Sequence, residues 1–461
     1  MFDLILRGGQ IVTPRETYRG DIGVVDGKIA AVGMLEGAEA GRVYDATGRF
    51  VLPGLIDEHV HSRDPGLTHK EDFAHSTRAA AAGGITTILE MPNCVPPVRD
   101  ADHFYRRVEE IAPKAHVDYG LYGIVLGDEN LEALPGLAEA GVIGFKLFWG
   151  YALDRRSLAL VYDAAEGGDI VPPPDEGQIF EAFRVIGEMG RAVAVHAENR
   201  ELIARLTRKE RAAGGADYAA FLRSRPAVNE RLTTEAAMAL GQAAGVHVHI
   251  LHMTSADGVE ALAEARRRGW SVTGETCPHY LTLTDEDWER VGVRMKILPP
   301  IRQRDHQKRL WEALRSGELQ AVGSDHSPHT EEEKRGDIWS APAGFLGVQT
   351  LVPLMLDAVV RGKLSLNRLV ELMAENPARI WGFYGVKGVI RPGADADFTV
   401  VDLDRTWVVR GEDLYSKSRV QPYEGRSGRG APVAAFVRGV QVMEDGRPIA
   451  GPVGRLVKPG V

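Results

Sequence analysis

Apolar and polar positions alternate most regularly at the two ends of the chain. FDLILRGGQIV and GDIGVVDGKIAAVG near the start read as strands with one buried and one solvated face, and Asp26-Gly27 between paired runs predicts a hairpin turn. The same texture returns in ADFTVVDLD and APVAAFVRGVQVMEDGRPI, with a second turn of that kind at Asp445-Gly446. Both ends are therefore expected to fold together, residues 1–52 with 386–461, as one composite β-sandwich.

Between them lie eight short apolar runs, each followed by helix-like, Ala- and Arg-rich sequence. They are GLIDEHVH (54–61), ITTILEMP (85–92), VDYGLYGIV (117–125), VIGFKLFW (142–149), AVAVHAEN (192–199), HVHILHMT (247–254), SVTGETCP (271–278) and QAVGSDHS (320–327). A parallel sheet covered on both faces gives apolar runs without clean alternation. Eight such units predict an α/β fold, a (β/α)8 TIM barrel over residues 53–385, with its chemistry at the C-terminal strand ends.

Composition narrows the function classes. Of 461 residues, 44% are apolar and 26% charged, the balance of an ordinary globular enzyme. The formal charge of -9 comes with no basic stripe, so nucleic acid is not an expected partner. No run reaches the roughly 20 apolar residues of a membrane helix, and MFDLILRGGQIV lacks the layout of a signal peptide, so a cytoplasmic location and no membrane partner are expected. Cys94 and Cys277 are the only cysteines, which excludes a disulfide framework and a cysteine-rich zinc module. Any metal must be held by histidines and carboxylates.

Such groups sit at five of the eight run ends: His59 and His61, Lys146, His196, His252 and Asp325. One strand-end histidine alone is as well explained by a structural hydrogen bond; the set together points to a metal. His59 and His61 are two apart, so on a strand both project from one face as a chelating pair. In the sixth run His247 and His249 share a face and His252 has the opposite parity. Its place last in the run, before Thr254, makes His252 the ligand, turned inward by a twist or bulge at the rim. Lys146 lies inside GFKLFW, where an ammonium facing dications would be desolvated and repelled at once. A neutral amine can instead add carbon dioxide and become an anionic carbamate whose two oxygens bridge a metal pair. The alternative is a lysine reaching from a strand end toward water.

These motifs resemble the cyclic amidohydrolases, the hydantoinases and dihydropyrimidinases, allantoinases and dihydroorotases of the amidohydrolase superfamily. PGLIDEHVH resembles the first-strand metal motif, GFKLF the carboxylated-lysine strand, and VHAEN, LHMTSADG, ETCPHYL and GSDHSPH the later active-site strands. The resemblance implies one metal on His59, His61, Lys146 and Asp325, a second on Lys146, His196 and His252, and zinc as the usual ion. Two ions about 3.5–4 Å apart can share a water and lower its pKa from about 15.7 toward 7. The expected reaction is attack of that hydroxide on a ring carbonyl, with Asp325 carrying the proton to the departing nitrogen. Homodimers or homotetramers are usual among such enzymes.

The ring itself is marked in conflicting ways. Tyr151 matches the tyrosine that donates to the oxyanion in dihydropyrimidinases and D-hydantoinases, although an aromatic packed under a loop reads the same. ETCPHYL, LPPIR and GVQTLVP look like allantoinases. HSRDPGLTHKED and MPNC resemble dihydroorotases, whose arginine and asparagine at the positions of Arg63 and Asn93 hold a carboxylate, and His329 matches a substrate histidine of that group. Arg63 can equally pair with Asp64 or Asp72, and Asn93 can simply make a turn. A long insert over residues 150–180 points away from dihydroorotases. A hydantoinase- or allantoinase-type hydrolase is expected first and a dihydroorotase second. A dihydropyrimidinase-like scaffold without metal is disfavoured by the complete ligand set, and a one-metal deaminase by Lys146. The last residues, GPVGRLVKPGV, are expected to wrap a neighbour or fray.

Overall fold

The computed structural model describes residues 1–157, 159–161 and 169–460. Eight parallel strands, one in each apolar run, form a barrel: Leu55–Val60, Ile85–Glu90, Asp118–Ile124, Gly144–Phe148, Ala192–His196, His247–Ile250, Val272–Thr276 and Ala321–Val322. The eighth strand is only two residues long, and closure is completed just beyond it. There the His61 amide donates to the His326 carbonyl at 2.8 Å and the His326 amide to the His59 carbonyl at 3.3 Å. The seam of the barrel therefore lies beside the first predicted ligand pair.

Alternation along a strand decides what enters the barrel. In the fourth strand Phe145 and Leu147 join the outer core shared with the helices, which turns Lys146 to the opposite face. Lys146 pairs in register with Ala194, and Phe148 with His196. Ile56, Leu89, Tyr122, Ala194 and Trp381 form a buried cluster separate from that outer core. Polar groups at the strand ends are the layout that puts chemistry at one mouth.

The chain termini build a nine-stranded mixed sheet. Phe50–Pro53 is its junction, parallel to Phe2–Val12 and antiparallel to Phe398–Val408. Both predicted turns form, with Asp26 and Gly27 at φ 49° and 72° and Asp445 and Gly446 at 47° and 77°, the positive pair a tight hairpin requires. Within the last segment Leu456 bridges Tyr119, and the Val457 amide donates to the Tyr119 carbonyl at 2.7 Å. Part of the predicted insert forms a small sheet of Ala152–Asp154, Leu160–Val161 and Ile170–Val171; residues 158 and 162–168 of it lie outside the described residues. Among the described residues no helix is long and apolar enough to cross a membrane.

A buried ion cluster fastens the terminal sheet to the barrel. Lys387 Nζ lies 2.5 Å from Asp118, 2.9 Å from Asp395 and 2.6 Å from Asp397, and Arg438 also binds Asp118. Asp118 opens the third barrel strand, whereas Asp395 and Asp397 lead into the sheet. Removing the ammonium leaves carboxylates buried without their counter-charge, which costs about 3–5 kcal/mol. Lys387→Met is expected to lower the unfolding midpoint by several degrees in thermal or denaturant melts; an unchanged midpoint would remove the cluster from the account of stability.

Candidate metal centre

The six predicted ligands converge at the C-terminal mouth of the barrel. His59 Nε2 and His61 Nε2 each lie 3.4 Å from Asp325 Oδ1, and donor atoms of the three fall within 4.8 Å of one another. His196 Nδ1 is 2.9 Å from His252 Nε2. The ring centroids of His59 and His252 are 5.2 Å apart, so the two groups face each other across one space. Lys146 lines the same pocket as all five.

His252 reaches the cage by a route that parity did not foresee. The sixth strand ends at Ile250, and His252 takes a left-handed backbone, φ 38°, which swings its ring inward without a bulge. Its amide is fastened to Glu275 Oε1 at 3.0 Å. Asp325 (φ 46°) and Arg63 (φ 62°) are also left-handed, a conformation that costs a side-chain-bearing residue about 1–3 kcal/mol unless its surroundings enforce it. His247 and His249 are bonded elsewhere, to Thr273 Oγ1 at 2.8 and 2.7 Å.

Three of the four imidazoles are held from behind. His59 Nδ1 meets Glu275 Oε1 at 3.0 Å, His61 Nδ1 meets Asn93 Oδ1 at 2.6 Å, and His196 Nε2 meets Glu198 Oε2 at 3.1 Å. An outer acceptor takes the proton-bearing nitrogen and leaves the inner one as a lone-pair donor, the arrangement that orients metal-binding histidines. Burial depresses the pKa of all four rings, most strongly at His59 and His252. Burial pushes the Asp325 carboxyl up, yet His59 and His61 outweigh it and hold it below the usual carboxylate range. Neutral imidazoles beside an ionised carboxylate are the protonation states a divalent cation requires.

Lys146 is the misfit in this set. Its side chain is fully buried, its Nζ has no hydrogen-bond partner, and it lies 4.6 Å from the Phe148 ring centre. Burial pulls its ammonium down to about 7, against the attraction of Asp325 and Glu275. An unbonded cation at this depth would cost several kcal/mol. The residues present thus fit a divalent metal centre on the chemistry of the donor set and on this orphaned amine.

The remaining predicted residues stand around the cage. The Tyr151 hydroxyl is 2.9 Å from His196 Nε2 and 3.3 Å from Glu198 Oε2, at the edge of the metal pocket. Arg63 has no carboxylate within ion-pair distance among the described residues, because Asp64 binds Lys114 at 2.8 Å and Asp72 binds Lys417 at 2.6 Å. Its guanidinium donates instead to the Pro328 carbonyl at 3.2 Å and lies 3.4 Å from His329 Nε2. Asn93 is brought to His61, and His329 to the Ala343 carbonyl at 2.9 Å. An adjoining cavity of about 430 Å³, lined by Trp149, Phe221, Trp339 and Leu298, opens beside Tyr151 and gives room for a small organic molecule.

Sequence reasoning missed Glu198 and Glu275. Glu198 sits two residues after His196 in VHAEN, and Glu275 is a carboxylate inside a buried strand, each a signal of a buried partner that reads as an ordinary acid when taken alone. Glu198 is further paired with Arg225 at 2.8 Å, which links Tyr151 and His196 to the wall of the larger cavity.

Residues 50–442 match the amidohydrolase family. The chain is 42% identical over 468 residues to an allantoinase of Rubrobacter xylanophilus, covering 99% of this chain and 98% of that protein. It is 38% identical over 452 residues to an L-hydantoinase of Paenarthrobacter aurescens, covering 97% and 95%. Among solved structures it resembles an L-hydantoinase (dihydropyrimidinase) from Arthrobacter aurescens, with a TM-score of 0.93, 37% identity and coverage of 99% and 100%. A dihydropyrimidinase from Brevibacillus agri follows at 0.89 and 31%, covering 99% and 98%. With a family match across most of its length and relatives aligned almost end to end, the chain belongs to the amidohydrolase family.

Proposed function

We propose that this protein hydrolyses the ring amide C–N bond of a small cyclic ureide or imide, as hydantoinases and allantoinases do. The carrying observation is the convergence of four imidazoles, one carboxylate and an unbonded buried amine on a single space. The named relatives, an allantoinase and an L-hydantoinase, support the same class.

Lys146 is carboxylated in the working enzyme. Its neutral amine forms an N–C bond to carbon dioxide and releases one proton, giving a carbamate with two oxygens in place of a repelled cation. His59, His61, Asp325 and the carbamate would hold one ion, and His196, His252 and the carbamate the other, with zinc suited to imidazole and carboxylate donors. Bound there, two divalent ions would acidify a water and polarise a carbonyl. Asp325 takes the proton of the attacking water at its carboxylate and passes it to the departing ring nitrogen. The Tyr151 hydroxyl donates to the carbonyl oxygen as negative charge develops on it, while Glu198 and Arg225 fix where the phenol stands. The cavity beside Tyr151, with Trp149, Phe221, Trp339 and Leu298 on its wall and Arg225 and Lys296 among them, holds ring substituents.

A second reading is supported by Arg63, a buried guanidinium with no carboxylate partner among the described residues that reaches the metal pocket beside His329. It would seat a ring carboxylate, as a dihydroorotase requires. Asn93 turns its Oδ1 to His61, and its Nδ2 is the atom that would donate to such a carboxylate.

The zinc-loaded protein is expected to turn over hydantoin, allantoin, dihydrouracil or a cyclic imide faster than dihydroorotate in a common assay. Dihydroorotate as the sole substrate, with activity abolished by Arg63→Met, would replace the first reading by the second. Asp325→Asn should lower kcat by about 10³-fold with an unchanged melting midpoint, metal content being measured on the same sample; retained turnover would strip the residue of its proton-carrying role. For Tyr151→Phe we expect kcat to fall by about 10²-fold and KM to change little, whereas a loss confined to KM would make the tyrosine a binding group only.

A further inference from the structure

Directly beneath the cage, inside the closed barrel, lies a second cluster of metal-binding side chains that the mechanism does not use. Glu58, His249 and Glu275 are all 0% exposed, and one donor atom from each falls within 4.8 Å of the others. Each is anchored through one atom. Glu58 Oε2 accepts from Trp381 Nε1 at 2.6 Å, His249 Nδ1 is bonded to Thr273 Oγ1 at 2.7 Å, and Glu275 Oε1 faces His59 Nδ1 at 3.0 Å. The other donor of each, Glu58 Oε1, His249 Nε2 and Glu275 Oε2, has no hydrogen-bond partner.

Buried polar atoms without partners make this arrangement costly as it stands. Asp57, also fully buried and with Oδ2 unpartnered, adds a third carboxylate beside Glu58 and Glu275. Among the described residues no lysine or arginine lies within ion-pair distance of any of the three. His249 Nε2 lies 3.1 Å from Glu58 Oε1, yet the contact is not aligned as a hydrogen bond. Two ligands on one tetrahedral ion with bonds of about 2.0–2.1 Å stand about 3.3 Å apart, close to this separation. Buried carboxylates are tolerated when they are paired or coordinate a metal.

We infer that Glu58, His249 and Glu275 bind a third divalent cation, separate from the catalytic cage, with the donor set of one imidazole and two carboxylates that suits zinc or a similar transition ion. The ion offsets the buried acids at the centre of the barrel. Because Glu275 also grips His59, the same ion fixes the imidazole that opens the cage, so the lower site is a positioning element and takes no part in bond making.

Crystals of the full-length, zinc-loaded protein measured on either side of the zinc absorption edge test this directly. An anomalous peak among Glu58, His249 and Glu275, apart from those in the cage, is the expected result, and bound zinc by mass spectrometry should fall from three equivalents to two in His249→Gln. Peaks in the cage with none below them would overturn the inference while leaving the two-metal reading intact. A peak below an empty cage would uphold the inference and sink the other. Should His249→Gln fail to fold, the map of the unaltered protein decides alone.

Discussion

The desolvated amine of Lys146 is the constraint around which the mouth of the barrel is organised. A strand with Phe145 and Leu147 on its outer face has to turn Lys146 inward, and the register with Ala194 and His196 sets it among imidazoles instead of water. Buried there without a hydrogen bond, the amine is neither a comfortable cation nor a satisfied base. The rest of the rim presents donors to a cation: the Asp325 carboxylate and four histidines whose pKa burial lowers, three of them kept facing inward by outer acceptors. Charge balance, more than shape, ties the six residues into one device.

Backbone strain is concentrated in the same place. Six described residues other than glycine have positive φ; Asp26, Arg438 and Asp445 belong to the terminal sheet and its turns, whereas Arg63, His252 and Asp325 border the cage. None of these three lies within a barrel strand. Each sits just past a strand end, where no ladder partner dictates its conformation and the closing bonds through His326 and Glu275 can enforce an unusual one. A regular barrel supplies the convergence, and a few left-handed residues at its rim supply the aim.

Much of this was legible in the sequence, for physical reasons. Parallel strands covered on both faces leave unbroken apolar runs, and a closed barrel puts polar groups at their ends, so His59, His61, His196 and Asp325 stood out by position. The terminal sheet was marked by its two Asp-Gly turns. What escaped depends on contacts distant in sequence: the grip of Glu275 on His59, the fastening of Lys387 to Asp118, Asp395 and Asp397, and the docking of the last residues along Tyr119. His252 was singled out by its position in the run, but its inward aim comes from a single backbone angle that no alternation pattern encodes. Asn93 kept both of its readings in sequence, and the fold brings it behind His61.

The central claim is chemical and concerns one nitrogen. Protein prepared with zinc and ¹³C-labelled bicarbonate, freed of unbound label, can be read by carbon NMR and by intact mass. A carbamate resonance at one per chain, lost when Lys146 is replaced and lost with the metal on chelation, is the result expected here. Fully active, metal-replete protein whose Lys146 carries an unmodified amine would contradict the account.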